Sequence, residues 1–194
     1  MSNIEPILGR YLHADVDGLT YRIFFEEAGR GIPLLCLHTA GADSRQYRHL
    51  MNDRWVTERY RVIAFDMPYH GRSNPPDEWW LRKYLLEADT YLALIRSVWQ
   101  ALDLRRPVAL GCSMGGAVVL KLAVDYQREL RGIIGLESSA YAPGRYNDYP
   151  PSGHSWWRAR RELHLRAVRP AESRGEQAGE LVVLQPVRTG RLRR

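Results

Sequence analysis

Short unbroken apolar runs alternate along the first 140 residues with longer segments whose apolar positions recur every three or four residues. Residues 21–28, 33–38, 60–66, 107–112 and 132–137 read as strands. The later ones carry apolar side chains at consecutive positions rather than alternate ones, as expected of strands whose two faces are both covered by helices. Between them, Leu85, Ala88, Leu92, Ile95, Trp99 and Leu102 fall on one stripe and predict a helix over about 81–104. Residues 116–126 predict a second, more apolar helix. Strand and helix in alternation predict an α/β domain with a mostly parallel sheet, flanking helices and right-handed crossovers.

The pattern stops near residue 142. Residues 142–151 are a Pro, Gly, Tyr and Asn loop, and beyond them only Leu181–Leu184 has strand character. The charge divides at the same place. Residues 1–150 hold 18 Lys and Arg against 18 Asp and Glu, whereas 151–194 hold ten Arg, no Lys and four Glu. The net charge of +6 therefore belongs to the tail, and gives no ground for expecting a nucleic-acid partner of the folded part. An Arg-rich stretch with few aliphatic residues is a poor core builder, so 151–194 is expected to be disordered or non-native sequence. A Lys-free, Arg-rich run is also what a GC-rich gene yields in a wrong reading frame, which predicts a frameshifted or truncated chain. No run reaches 18 apolar residues, and the amino terminus lacks a basic region followed by an apolar one, so neither a membrane partner nor a secretory signal is expected. Cys36 and Cys112 lie in apolar runs and are expected to be reduced core thiols of a cytoplasmic protein.

Chemistry concentrates at Gly111-Cys112-Ser113-Met114-Gly115, a G-x-S-x-G pattern with an apolar strand before it and an apolar helix after it. A serine on so tight a turn needs very small neighbours. The turn lifts Oγ above the carboxyl edge of the sheet, beside helix N-terminal amides that can stabilise an oxyanion. Ser113 is the candidate nucleophile and Met114 N–H a candidate oxyanion donor. A second segment, Leu35 to Asp43, ends an earlier strand, from which Ala40 can supply the other donor; His38 there reads as a residue that shapes the loop. A third, Phe65 to Ser73, is a strand end followed by a turn.

Taken together, the three segments resemble the α/β-hydrolase family, with its His-Gly oxyanion loop, its D-x-P-G-H-G-x-S turn and its G-x-S-x-G elbow. The resemblance covers about residues 8–140. Asp66, Pro68, His70, Gly71 and Ser73 match the second motif, Tyr69 stands where the family has glycine, and Thr39 replaces the glycine after His38. It implies residues 1–150 as the N-terminal part of an α/β-hydrolase domain, lacking the last strands and the cap. It further implies a serine hydrolase that acts on a small-molecule carboxylic ester, thioester or lactone through an acyl-enzyme, with no metal and no organic cofactor. Serine at the elbow excludes the alkyl-enzyme chemistry of haloalkane dehalogenases, which carry aspartate there.

A serine needs a histidine to take its proton and a carboxylate to orient that histidine. In the family the order is Ser, acid, His. Glu137, at the end of the strand after the nucleophile helix, is the candidate acid, with Asp148 the weaker one. Only His154 and His164 follow Ser113, and neither has the preceding strand the family histidine requires, so the triad histidine is unassigned; His13 and His49 read as surface or packing residues. Two alternatives remain open: a catalytically incompetent fragment without the triad histidine, and a carbon–carbon bond hydrolase or perhydrolase on the same scaffold.

Overall fold

The computed structural model describes residues 7–82 and 87–138. Expectations for the tail at 151–194, and for Asp148, His154 and His164, lie outside these residues, as does Leu85 of the predicted stripe. Six strands form one sheet: β1 (Leu8–Val16), β2 (Leu19–Gly29), β3 (Ile32–Leu37), β4 (Tyr60–Phe65), β5 (Val108–Cys112) and β6 (Gly132–Leu136). The helices are α1 (Arg48–Asn52), α2 (Arg54–Thr57), α3 (Ala88–Ala101) and α4 (Met114–Asp125), with short 3₁₀ turns at Ser44–Tyr47, Trp79–Leu81 and Gln127–Glu129.

The strands lie in the order β1-β2-β4-β3-β5-β6. β4, β3, β5 and β6 run parallel, while β1 with β2 and β2 with β4 run antiparallel. The sheet is thus mixed, and the expectation of a mostly parallel one holds for its last four strands. β1 was not foreseen: most of its side chains are exposed, so no apolar run marks it. Helix α3 starts at Ala88, later than the predicted start near Leu81, and Leu81 instead closes a separate 3₁₀ turn, Trp79–Leu81.

Both faces of the sheet are covered, which explains the unbroken apolar runs. On one face Ile23, Phe25, Leu35, Ile63, Phe65, Ala109 and Ile133 pack with Leu92, Ile95 and Val98 of α3 and Val119 and Leu122 of α4. On the other, Leu34, Cys36, Val62, Ala64 and Leu110 pack against Tyr47 and Met51. Each fully buried aliphatic side chain contributes about 1.5–3 kcal/mol of transfer free energy. α4 carries apolar residues around most of its surface because it lies against β3, β5 and β6 at once.

The strand order creates the site. From β3 the chain goes to β4 on one side, and from β5 it goes to β6 on the other. β3 and β5 are parallel neighbours, in register at Leu37 and Gly111. The segments leaving their carboxyl ends therefore part in opposite directions and open a crevice, the general ligand position of open α/β sheets.

Candidate active site

Four strand ends meet at the carboxyl edge: Asp66 after β4, His38 after β3, Ser113 after β5 and Glu137 after β6. Ser113 is a single turn residue between β5 and α4, exposed, with φ 51° and ψ −108°. A non-glycine residue at positive φ is strained, and such strain persists only where the surroundings over-determine it. They do so here. The Ser113 amide donates to Leu136 O at 2.9 Å, extending the β5–β6 ladder, and its carbonyl accepts from Ala117 N at 2.9 Å in the first turn of α4.

The neighbouring glycines are required by space rather than by conformation. A Cβ on Gly111 would collide with the Gly115 carbonyl, one on Gly115 with the carbonyl of Leu37, and one on Gly116 would lie 2.6 Å from Ser138 Cβ. The turn packs so closely on the end of β3 that no side chain fits between them. Met114 opens α4, so its amide is one of those left without an intrahelical partner. Among the described residues neither the Met114 amide nor the Ala40 amide has an acceptor.

The loop after β3 is pinned from several sides. His38 is 1% exposed. Its Nε2 accepts from the Met67 amide at 3.1 Å, so the proton sits on Nδ1, which lies 2.8 Å from the Thr39 carbonyl and donates to it. Burial pushes the imidazole below its ordinary pKa, in keeping with a neutral ring whose two nitrogens are both engaged. It ties the loop to the turn after β4, as the sequence indicated, and has no nitrogen left to take a proton from Ser113. Of the other histidines, His13 and His49 are exposed on β1 and α1, and the Nδ1 of His70 faces Pro68 O at 2.9 Å.

The turn after β4 is built on Asp66, 1% exposed. Its Oδ1 accepts from the Ser44 amide and its Oδ2 from the Arg72 amide, both at 2.7 Å. Gly71, at φ 51°, lies so close to this carboxylate that any Cβ would strike it. Ser73 Oγ donates to Asp66 O at 2.5 Å and accepts from Phe24 N at 2.8 Å. The second motif is therefore a brace that fixes loop positions. Below it, a group that sequence reasoning missed completes the brace: the buried carboxylate of Glu26 receives Arg48 at 2.8 Å and Arg72 at 3.0 Å. No sequence signal marks Glu26, since Arg48 and Arg72 are remote from it in the chain.

Glu137 follows β6 with φ 47° and an exposed side chain. Register pairs Cys112 with Leu136, which puts Glu137 beside Ser113 on the edge. Cys112 is half-buried, and its thiol is pushed above its ordinary pKa by burial first and by the Glu137 charge second. Among the described residues no cluster of His, Cys, Asp and Glu could hold a metal ion, and no helix is long and apolar enough to cross a membrane.

A mixed sheet with helices on both faces, and a strained serine between strand and helix at the switch point, defines an α/β domain of the hydrolase type. Residues 32–169 match the family described as the alpha/beta hydrolase fold, and the chain belongs to that family. It is 32% identical over 134 residues to a 2-hydroxy-6-oxo-6-phenylhexa-2,4-dienoate hydrolase from Comamonas testosteroni, covering 63% of this chain and 44% of that protein. Among solved structures it is similar to an esterase from Exiguobacterium antarcticum, with 30% identity, a TM-score of 0.54, and 66% of this chain and 44% of that one covered. An N-acyl homoserine lactonase in complex with N-hexanoyl homoserine matches at 26% identity and a TM-score of 0.53, over 66% of this chain and 44% of that one. The chain thus spans less than half the length of each of these relatives.

Proposed function

We propose that this chain carries the nucleophile half of a serine hydrolase that cleaves a carboxylic ester, thioester or lactone of a small molecule through an acyl-enzyme on Ser113. One observation carries the reading: an exposed serine held at φ 51° between a buried strand and an apolar helix. Strain of this kind, costing about 1–3 kcal/mol, is typically kept where a side chain must be presented. The Met114 and Ala40 amides are the oxyanion donors. Such donors matter most as charge develops on the carbonyl oxygen, and loss of one costs on the order of 10²–10³ in rate. Glu137 is the acid, next to Ser113 across the β5–β6 pair. The base is unassigned, and His38 does not supply it, because both its ring nitrogens are engaged in hydrogen bonds. In this reading residues 1–150 form the N-terminal part of the hydrolase domain. Similarity to an esterase and a lactonase supports an acyl substrate.

One finding favours a second reaction on the same scaffold. The substrate in the name of the Comamonas relative contains no ester, so its hydrolysis breaks a carbon–carbon bond. The fragment reading is favoured by the coverage of less than half of each relative. A fluorophosphonate probe on the full chain tests the proposal. Covalent labelling that disappears in Ser113→Ala is the expected result. An unlabelled wild-type chain would leave the incompetent fragment as the correct reading.

A further inference from the structure

Tyr69 stands where the resemblance places a glycine, and the structure holds it at φ 66°. A bulky residue in that region is an outlier, and such strain clusters at binding and catalytic sites. Glycine would make the same turn at no steric cost, so the brace around Asp66 does not account for the ring. Its surroundings follow from the register of β2. Phe25 pairs with Phe65, the last residue of β4, so Leu19 to Phe24 run on past the carboxyl edge of that strand. The chain leaving the turn after β4 lies along this overhang, where Asn74 bridges Arg22. It then forms the 3₁₀ turn Trp79–Leu81. Trp79 meets Tyr69 edge to face with ring centroids 6.1 Å apart, and Trp80 meets Trp79 in the same way at 6.4 Å. Trp79 is 46% exposed and Trp80 67%, so this aromatic cluster faces solvent. It also stands beside the crevice. The ring of His70, the next residue after Tyr69, is 5.0 Å from the ring of His38 at the end of β3. The order β4-β3-β5 puts the turn after β4 two strand spacings, roughly 10 Å, from Ser113.

We propose that Tyr69 and Trp79 form a binding wall for an aromatic ring of the substrate, carried about two strand spacings from the carbonyl that Ser113 attacks. The role rests on the proposed reading of Ser113 as nucleophile and narrows its substrates to those with an aryl group at that reach. Two rings at right angles offer a face and an edge in one corner, and a third ring gains there from both burial and ring geometry. A short acyl group such as acetyl does not extend that far. Asp77 and Glu78 precede the tryptophans and Arg82 follows them. The patch therefore has no excess of positive charge, and suits a neutral ring better than an anionic lipid surface.

The test measures the second-order labelling of the full-length chain by two fluorophosphonates, one bearing a methyl group on phosphorus and the other a phenylbutyl group. The phenylbutyl probe is expected to label the wild type about tenfold faster. Tyr69→Gly and Trp79→Ala should each lower this ratio about fivefold. Trp55→Ala removes an exposed tryptophan that stacks with Arg59 at the amino edge of β4, and should leave the ratio unchanged. A labelled wild type with a ratio near one, or a ratio that survives both Tyr69→Gly and Trp79→Ala, would overturn the wall and leave Ser113 as the nucleophile. A wild type labelled by neither probe would overturn the nucleophile reading. The wall is then decided by titrating phenylbutylphosphonate against the Trp79 indole N–H resonance. A saturable shift that Tyr69→Gly abolishes supports it as an aryl-binding site, and an unmoved resonance overturns it as well.

Discussion

Replacing Ser113 by glycine tests the geometry of the turn without reference to catalysis. At φ 51° and ψ −108°, a residue with a Cβ is held in a sparsely populated region at a cost of about 1–3 kcal/mol. Glycine adopts this conformation without that cost, but it also gives the unfolded chain more freedom, worth about 0.5–1 kcal/mol in the opposite direction. The backbone bonds to Leu136 and Ala117 do not involve the side chain and survive the change. Ser113→Gly should therefore be more stable than wild type by about 0.5–2 kcal/mol, weighing the strain released against the entropy lost. Ser113→Ala, which keeps the Cβ and loses only the hydroxyl, should stay close to wild type. With a urea dependence of about 2 kcal/mol per molar, the glycine variant's midpoint moves up by roughly 0.3–1 M. Equilibrium urea unfolding of the three proteins measures this directly. A glycine variant that unfolds earlier than the alanine variant would refute the strain, and with it the claim that this turn is built to present a side chain.

Three further outcomes follow from the same edge of the sheet. Gly115→Ala puts a methyl group onto the Leu37 carbonyl, in backbone that cannot swing aside, and should destabilise by about 1–3 kcal/mol in urea unfolding. Asp66→Ala leaves the Ser44 and Arg72 amides without their charged acceptor and should cost about 3–6 kcal/mol, at 1.5–3 kcal/mol for each bond to a charged group; Asp66→Asn, which keeps one acceptor, should cost less. His38 titrates below its ordinary 6.5 because burial disfavours the charged ring, so its contribution to stability is complete above that value and declines as the pH falls below it. Stability measured from pH 8 to pH 5 should show this decline, and His38→Asn should flatten it.

The proposed nucleophile was legible in the sequence because it is encoded locally. Whether a residue can sit on a strand-to-helix turn depends on the glycines beside it and the apolar runs on either side, and all of these fall within about 20 consecutive residues. The buried parallel strands were legible for a similar reason: helices on both faces leave no polar position in the run. The brace of Asp66 and Ser73 was visible only through resemblance, because its bonds reach Ser44 and Phe24, neither of which the motif contains.

Edge strand β1 escaped notice because an exposed strand carries no apolar signature. Glu26 did so because its burial depends on arginines 22 and 46 positions away. The sequence by itself determined which residues could be strands, which could be helices, and which serine sits on a bend, since those choices follow from side-chain size and periodicity. Only the tertiary structure decided that β3 lies between β4 and β5 and that His38 is neutral and fully used. Each of these depends on strand order and on hydrogen bonds between segments, and no pattern along one segment specifies which other segment it will meet.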